Sequence, residues 1–164
     1  MRHKTHLYET TVVWTGNLGR GTPSYSGYSR DHEISAPGKR LPVAGSSDPA
    51  FRGDVTRYNP EELLVSALSA CHMLWVLHLC AEAGVTVLSY EDRANGAMVE
   101  MPDGGGQFTR VTLRPRMVIT AESDLQKAEL AHDRAHELCF LARSVNFPVY
   151  HEPEVSTAAS PVDS

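Results

Sequence analysis

The sequence predicts an α+β fold. Three observations point there: two helical segments of different character, a series of short runs rich in Val, Thr and Ile, and no regular strand–helix–strand alternation between them. With 164 residues the chain can bury one core but not two, so a single domain is expected over residues 1–155. Residues 156–164 offer little to a core and are expected to form a mobile tail.

The elements follow in chain order. Tyr8 to Trp14 alternates loosely and is rich in Thr and Val, which reads as a first strand. Gly16, Gly19 and Gly21 mark a turn, and Tyr25 to Ile34 reads as further extended chain. From Ala36 to Asp54 the density of Pro, Gly, Ser and Asp predicts a long loop, of the kind that often carries function. Asn59 then makes a good N-cap, Pro60 suits the first helical position, and Glu62 completes an Asn-x-x-Glu capping box. The helix that follows stops at Gly84 and spans roughly 36 Å. Its apolar and small residues occur on nearly every side, so it should be covered on several faces.

Beyond Gly84, VTVLSYEDRA and GAMVEM read as strands, separated by the Pro102–Gly106 turn from one long strand over Phe108 to Thr120. A second helix is expected to start near Ser123, with Gln126 in capping-box position. Its small and apolar stripe runs through Leu125, Ala128, His132, Ala135, Cys139 and Ala142. Phe147 to Tyr150 would close the domain as a short strand.

Composition excludes several classes. A net charge of -5 argues against nucleic acid or an anionic membrane as the main partner. The segment Leu63 to Ala81 is the one membrane-like stretch, but its histidines, serines and cysteines favour a core helix. No secretory leader is evident in MRHKTHLYET, and 3 cysteines do not make a disulfide scaffold. A reducing cytoplasm is the expected location.

Three kinds of residue could carry chemistry. Cys71 lies in the middle of the long helix, where a thiol is commonly inert packing. A reactive thiol there needs a cation from elsewhere, because the helix dipole fades within the first turn. Arg20, Arg30 and Arg52 in the preceding loops are the candidates. Cys139 can face the same core as Cys71, whereas helical phase sends Cys80 to the opposite side, where it reads as packing. On spacing alone the Cys71–Cys139 pair stays open between a functional dithiol and two buried thiols. His132 and His136 have a zinc-compatible spacing, but no further ligand cluster is visible, and neither a metal nor a cofactor is expected. His72 reads as a packed or hydrogen-bonded core histidine.

Taken together, Asn59-Pro60-Glu61-Glu62-Leu63, SACHM with its Cys71, and HELCFLARSVN around Cys139 resemble the OsmC/Ohr family of osmotically induced protein C and organic hydroperoxide resistance proteins. The likeness extends from Trp14-x-Gly16 to the second cysteine. It implies antiparallel sheets around two long central helices, in an intertwined homodimer. It also implies that Cys71 attacks a hydroperoxide and Cys139 resolves the product as a disulfide. An Arg activates the first thiol and a Glu holds that Arg. Glu61 matches the Glu, leaving Glu62 as cap, and SSDPAFRGD makes Arg52 the better match for the Arg than Arg20. The implied reductant is a dithiol of lipoyl type.

Two features depart from the family pattern: Phe140 stands where many relatives have Pro, and the 36–54 loop is inserted. The first is expected to alter the local backbone around Cys139; the second, with the aromatic-rich Tyr25-Ser26-Gly27-Tyr28, bears on substrate more than on reaction type. Glu61 and Cys71 are ten residues apart, about 15 Å along one helix, so Glu61 cannot act beside the Cys71 of its own helix. Two antiparallel copies of the helix would bring them together. An apolar-ligand binding module and a stress-associated dimer without an active site are the alternatives.

Overall fold

A computed structural model describes residues 4–159, which divide into two compact units, one on each side of Leu64 and Val65. The first holds an antiparallel sheet of β1 (Thr11–Trp14), β2 (His32–Ser35) and β3 (Val43–Gly45), in that order. Its register pairs Trp14 with His32 and Ile34 with Val43. Extended structure thus starts later than expected in both early segments. The long loop is also more ordered than expected: it contains β3 and a 3-10 turn over Pro49–Phe51. Asp48 caps that turn by accepting from the Ala50 amide at 2.7 Å.

Helix α1 (Pro60–Glu82) begins at the predicted capping box. The Glu62 amide donates to Asn59 Oδ1 at 2.7 Å, and the Asn59 amide donates to Glu62 Oε2 at 3.1 Å. Gly84 ends the helix with φ of +74°, a conformation that costs glycine nothing. The helix is long and apolar enough to cross a membrane by length and composition, but it serves as the core helix of this fold. Its fully buried line is Leu68, His72, Val76 and Cys80, an i, i+4 stripe on one face. Within the single chain the face through Ser66, Ala70, Leu74 and His78 is exposed, while the flanks are partly buried and Trp75 and Leu79 pack against the core, so fewer faces are covered than the sequence suggested.

The second unit contains two more sheets, ordered β4-β7-β9 and β5-β6-β8. The strands are β4 (Val87–Asp92), β5 (Asn95–Glu100), β6 (Gly106–Leu113), β7 (Pro115–Ile119), β8 (Val149–His151) and β9 (Glu154–Thr157). The long strand expected over Phe108 to Thr120 is therefore two strands in different sheets. Pro115 has no amide to continue the ladder, and the Arg114 amide turns aside to donate to Asp92 Oδ1 at 2.7 Å. Besides the expected antiparallel pairs, β6–β8 and β7–β9 are parallel, because the chain returns to each sheet only after crossing over through helix α2 (Leu125–Leu138).

The N-cap of α2 is Asp124, which accepts from the Lys127 amide, and not the predicted Ser123. Ser123 Oγ instead accepts from the Thr86 amide at 2.9 Å. Val76 and Cys80 share one buried cluster with Val85, Met117, Ile119, Ala128, Ala131 and Ala135. The tail expected to be mobile from residue 156 is ordered at its start: Ser156 and Thr157 pair with Val118 and Ile119. Residues 160–164 lie outside the described part.

Candidate active site

Two of the three thiols meet. Cys71, partly buried on α1, lies close enough to Cys139 to influence its thiol, and all three cysteines are free. Cys139 is not inside α2 but caps it: its amide still donates to the Ala135 carbonyl at 2.9 Å, while its ψ of 111° turns the chain out of the helix. A short 3-10 turn, Ala142–Ser144, then folds the chain back. The Ala142 amide donates to Cys139 Sγ at 3.5 Å, and Ser144 Oγ donates to the Phe140 carbonyl at 2.7 Å. The sulfur is thereby fixed at a helix end rather than on a helix face.

Burial pushes the Cys139 thiol up to about 11. The neighbouring Cys71 sulfur adds to the rise, while the Ala142 and Leu141 amides pull against it. Burial thus favours the protonated thiol at Cys139. Cys80 is fully buried in the apolar cluster, its thiol also raised by burial, which is the packing role expected of it.

Beside the dithiol stands an aromatic edge that the sequence reading did not single out. Trp75 lies one helical turn beyond Cys71, and its ring meets that of Phe140 edge-on at 5.6 Å. Leu74, Trp75 and His78 line a hollow of about 200 Å³. The i, i+4 spacing of Cys71 and Trp75 was visible in the sequence; the contact with Phe140 needed the turn after α2.

The candidate arginines differ sharply in setting. Arg30 is occupied: its guanidinium donates to the carbonyls of Tyr28 and Tyr25 at 2.7 and 2.6 Å and lies over both their rings. Arg20 is exposed in a turn whose Gly19 and Gly21 amides both donate to Asn17 Oδ1. Arg52 is exposed and is the one non-glycine residue with positive φ, 65°, among the described residues. Its amide donates to the Pro49 carbonyl at 3.0 Å, and Gly53 follows it so closely on Ser47 that a Cβ there would lie 1.5 Å from the Ser47 carbonyl oxygen. The turn therefore holds Arg52 in a strained conformation by design of its neighbours. Glu61 has a buried carboxylate oxygen, Oε2, with no hydrogen-bond partner, while Glu62 is spent on the cap.

His72 is buried, as expected, with Nε2 3.2 Å from His132 Nδ1. The structure adds His136 and His151 to this pair, a grouping the sequence showed only in part, through the spacing of His132 and His136.

These features define a buried-thiol protein of α+β architecture with a cysteine pair joining its two helices. The family model described as OsmC-like protein matches residues 53–154, and the chain belongs to that family. A solved OsmC-like protein of unknown function from Vibrio cholerae is 32% identical, with a TM-score of 0.81 over 92% of this chain and all (100%) of that one. The organic hydroperoxide resistance protein OhrB of Bacillus subtilis shares the fold at 21% identity, with a TM-score of 0.60 over 92% of this chain and 98% of its own. An organic hydroperoxide resistance protein from Elizabethkingia anophelis does so at 16% identity, with a TM-score of 0.63 over 94% and 100%. No curated protein matches the chain.

Proposed function

We propose that this protein is a cytoplasmic cysteine peroxidase that reduces organic hydroperoxides, working as a homodimer. The observation that carries this reading is that two free thiols, Cys71 and Cys139, are neighbours, with Cys139 kept protonated by burial. In the first step the Cys71 sulfur attacks the terminal oxygen of the hydroperoxide. An S–O bond forms, the O–O bond breaks, and the alkoxide leaves as alcohol after taking a proton. Cys71 is then a sulfenic acid. Cys139 attacks the Cys71 sulfur, the S–S bond forms, and hydroxide leaves with the Cys139 proton as water. A dithiol, of lipoyl type by family likeness, returns both thiols by exchange and is itself oxidised.

Arg52 is assigned the role of activating cation, stabilising the attacking sulfur and the departing alkoxide, and Glu61 the role of holding it. Two observations support the assignment: the strained turn that presents Arg52 and the unpartnered buried oxygen of Glu61. The distance between Glu61 and Cys71 along α1 supports a site completed by a second copy of the chain, as does the exposed Leu74 on that helix.

The test is stopped-flow oxidation of the reduced protein with cumene hydroperoxide and hydrogen peroxide side by side, followed by peptide mapping. The expected result is faster oxidation by the organic peroxide and an intrachain Cys71–Cys139 bridge. A bridge through Cys80, or a persistent sulfenic acid with Cys139 free, would reject the mechanism. Ligand retention without turnover would favour a binding protein instead.

A further inference from the structure

The first unit contains a walled hollow that the dithiol chemistry does not use. Trp14 on β1 pairs with His32 on β2, and His32 with Gly45 on β3, so one row of the sheet presents these residues on one face. Two buried glycines set the row. A Cβ on Gly45 would overlap His32 Nε2, and one on Gly16 would overlap the Ser29 carbonyl oxygen. Glycine there lets the imidazole lie against β3 and lets the Trp14 indole N–H donate to that same carbonyl at 2.8 Å. Tyr28 stands edge-on to Trp14, with ring centres 5.9 Å apart. With Arg30, Ser47 and Pro60 these side chains wall a hollow of about 340 Å³, within the range of small-molecule sites, about 300–1,000 Å³.

Arg30 supplies the charge. Its guanidinium donates to the Tyr28 and Tyr25 carbonyls, and it lies over both rings, 4.1 Å from the Tyr28 centre and 4.5 Å from the Tyr25 centre. These contacts fix the fork and leave its remaining N–H groups for an acceptor. No carboxylate among the described residues pairs with it, because the adjacent Asp31 is taken by Ser46 and Arg57. Other polar atoms of the wall are spent inside the unit. His32 Nδ1 meets the Arg30 carbonyl at 2.9 Å, and Ser47 Oγ donates to the Phe51 carbonyl at 3.1 Å. What the hollow offers a ligand is therefore aromatic surface, with Trp14 still 42% exposed, and one half-buried, immobilised cation without a counter-ion. That combination suits a flat apolar group carrying a carboxylate, which a guanidinium pairs with through parallel N–H bonds.

We propose that this hollow binds a small aryl carboxylate, its ring against Trp14 and Tyr28 and its carboxylate on Arg30. The site uses none of the residues assigned to peroxide reduction, stands independently of that reading and is tested without activity.

The reduced full chain is titrated with naphthoate by calorimetry. One ligand per chain is expected, with a dissociation constant of about 0.1 mM or tighter. Two comparison ligands probe the wild-type protein without any variant. Naphthalenemethanol lacks the charge and cyclohexanecarboxylate lacks the flat ring, and each should bind roughly tenfold more weakly or worse. Arg30→Gln and Trp14→Leu should each weaken naphthoate by a similar factor. Phe140→Ala, at the aromatic edge beside Cys139, should leave it unchanged. Either comparison ligand binding as tightly as naphthoate would overturn the proposal, as would an absence of saturable binding or a loss confined to Phe140→Ala. So would a stoichiometry that falls as the protein is concentrated, which would give the hollow to a second copy of the chain.

Discussion

The buried residues of 4–64 are Gly16, Gly45, Ser46 and Asn59, whereas residues 65–159 bury Leu68, Val76, Val111, Leu113, Met117, Ile119 and their neighbours. The first unit is held by polar contacts. Ser46 Oγ donates to Asp31 at 3.1 Å and accepts from the Asp54 amide at 3.1 Å, and Arg57 pairs with both carboxylates. Its apolar residues stay outside: Leu7 is 91% and Tyr8 90% exposed, and all four residues of β1 are exposed. A small sheet with so little of it buried is marginal alone. The difference teaches that the second unit carries its own core, while the large apolar side chains of the first stay exposed in one copy of the chain. A second copy is the occupant the proposed homodimer supplies.

The largest effect tests whether the chemistry lies in the second unit. Cys71→Ser should abolish peroxide turnover and Cys80→Ser should leave it near wild type, in a coupled assay with a dithiol reductant. Equal losses would undo the pairing of Cys71 with Cys139.

Stability separates the units next. Met117→Ala should cost about 2–5 kcal/mol in denaturant melts, independent of protein concentration. Val13→Ser should instead destabilise more as the protein is diluted, because the covered surface belongs to an assembly. A concentration-independent loss at Val13 would break the comparison. Within the first unit, Arg52→Ala should slow alkylation of Cys71 by roughly tenfold, about 1.4 kcal/mol. Glu61→Ala should do so more weakly, and Arg20→Ala and Arg30→Ala hardly at all. A response confined to Arg20 would move the cation to the glycine-rich turn.

Two smaller effects sharpen the boundary at α1 and the end of α2. Glu62→Ala should lower stability by on the order of 1 kcal/mol, as loss of a cap partner, with turnover retained. In the Cys80→Ser protein, alkylation of Cys139 followed by mass spectrometry should stay slow at pH 9 and rise only towards about 11. The sign carries over to stability: the unfolded chain gives up this proton first, so the fold weakens as pH climbs through that window. Ordinary titration of Cys139 near 9 would mean that its sulfur is not buried as described.

Local signals explain why much of the fold was legible. The Asn59–Glu62 box and Gly84 each act within one helical turn, and the structure keeps both. The strand break at Arg114 was missed although Pro115 marks it, because Val, Thr and Ile continue on both sides, and the bond from the Arg114 amide to Asp92 that completes the break joins residues far apart in sequence. The cap of α2 was misplaced by one residue because Ser123 and Asp124 are both good caps, and the Thr86 amide claims Ser123.

By itself the sequence determined where α1 begins and ends, that Cys80 packs while Cys71 and Cys139 can share a side, and which family the motifs resemble. These depend on helical phase and on side chains acting over three or four residues. Tertiary structure alone decided that Cys139 sits on a helix end with its proton held by burial, and that Phe140 meets Trp75. It also brought His151 from the last part of the chain to histidines on two helices. Such contacts join residues far apart in sequence, and no local periodicity records them, because they are fixed only when the sheets and helices have closed on one another.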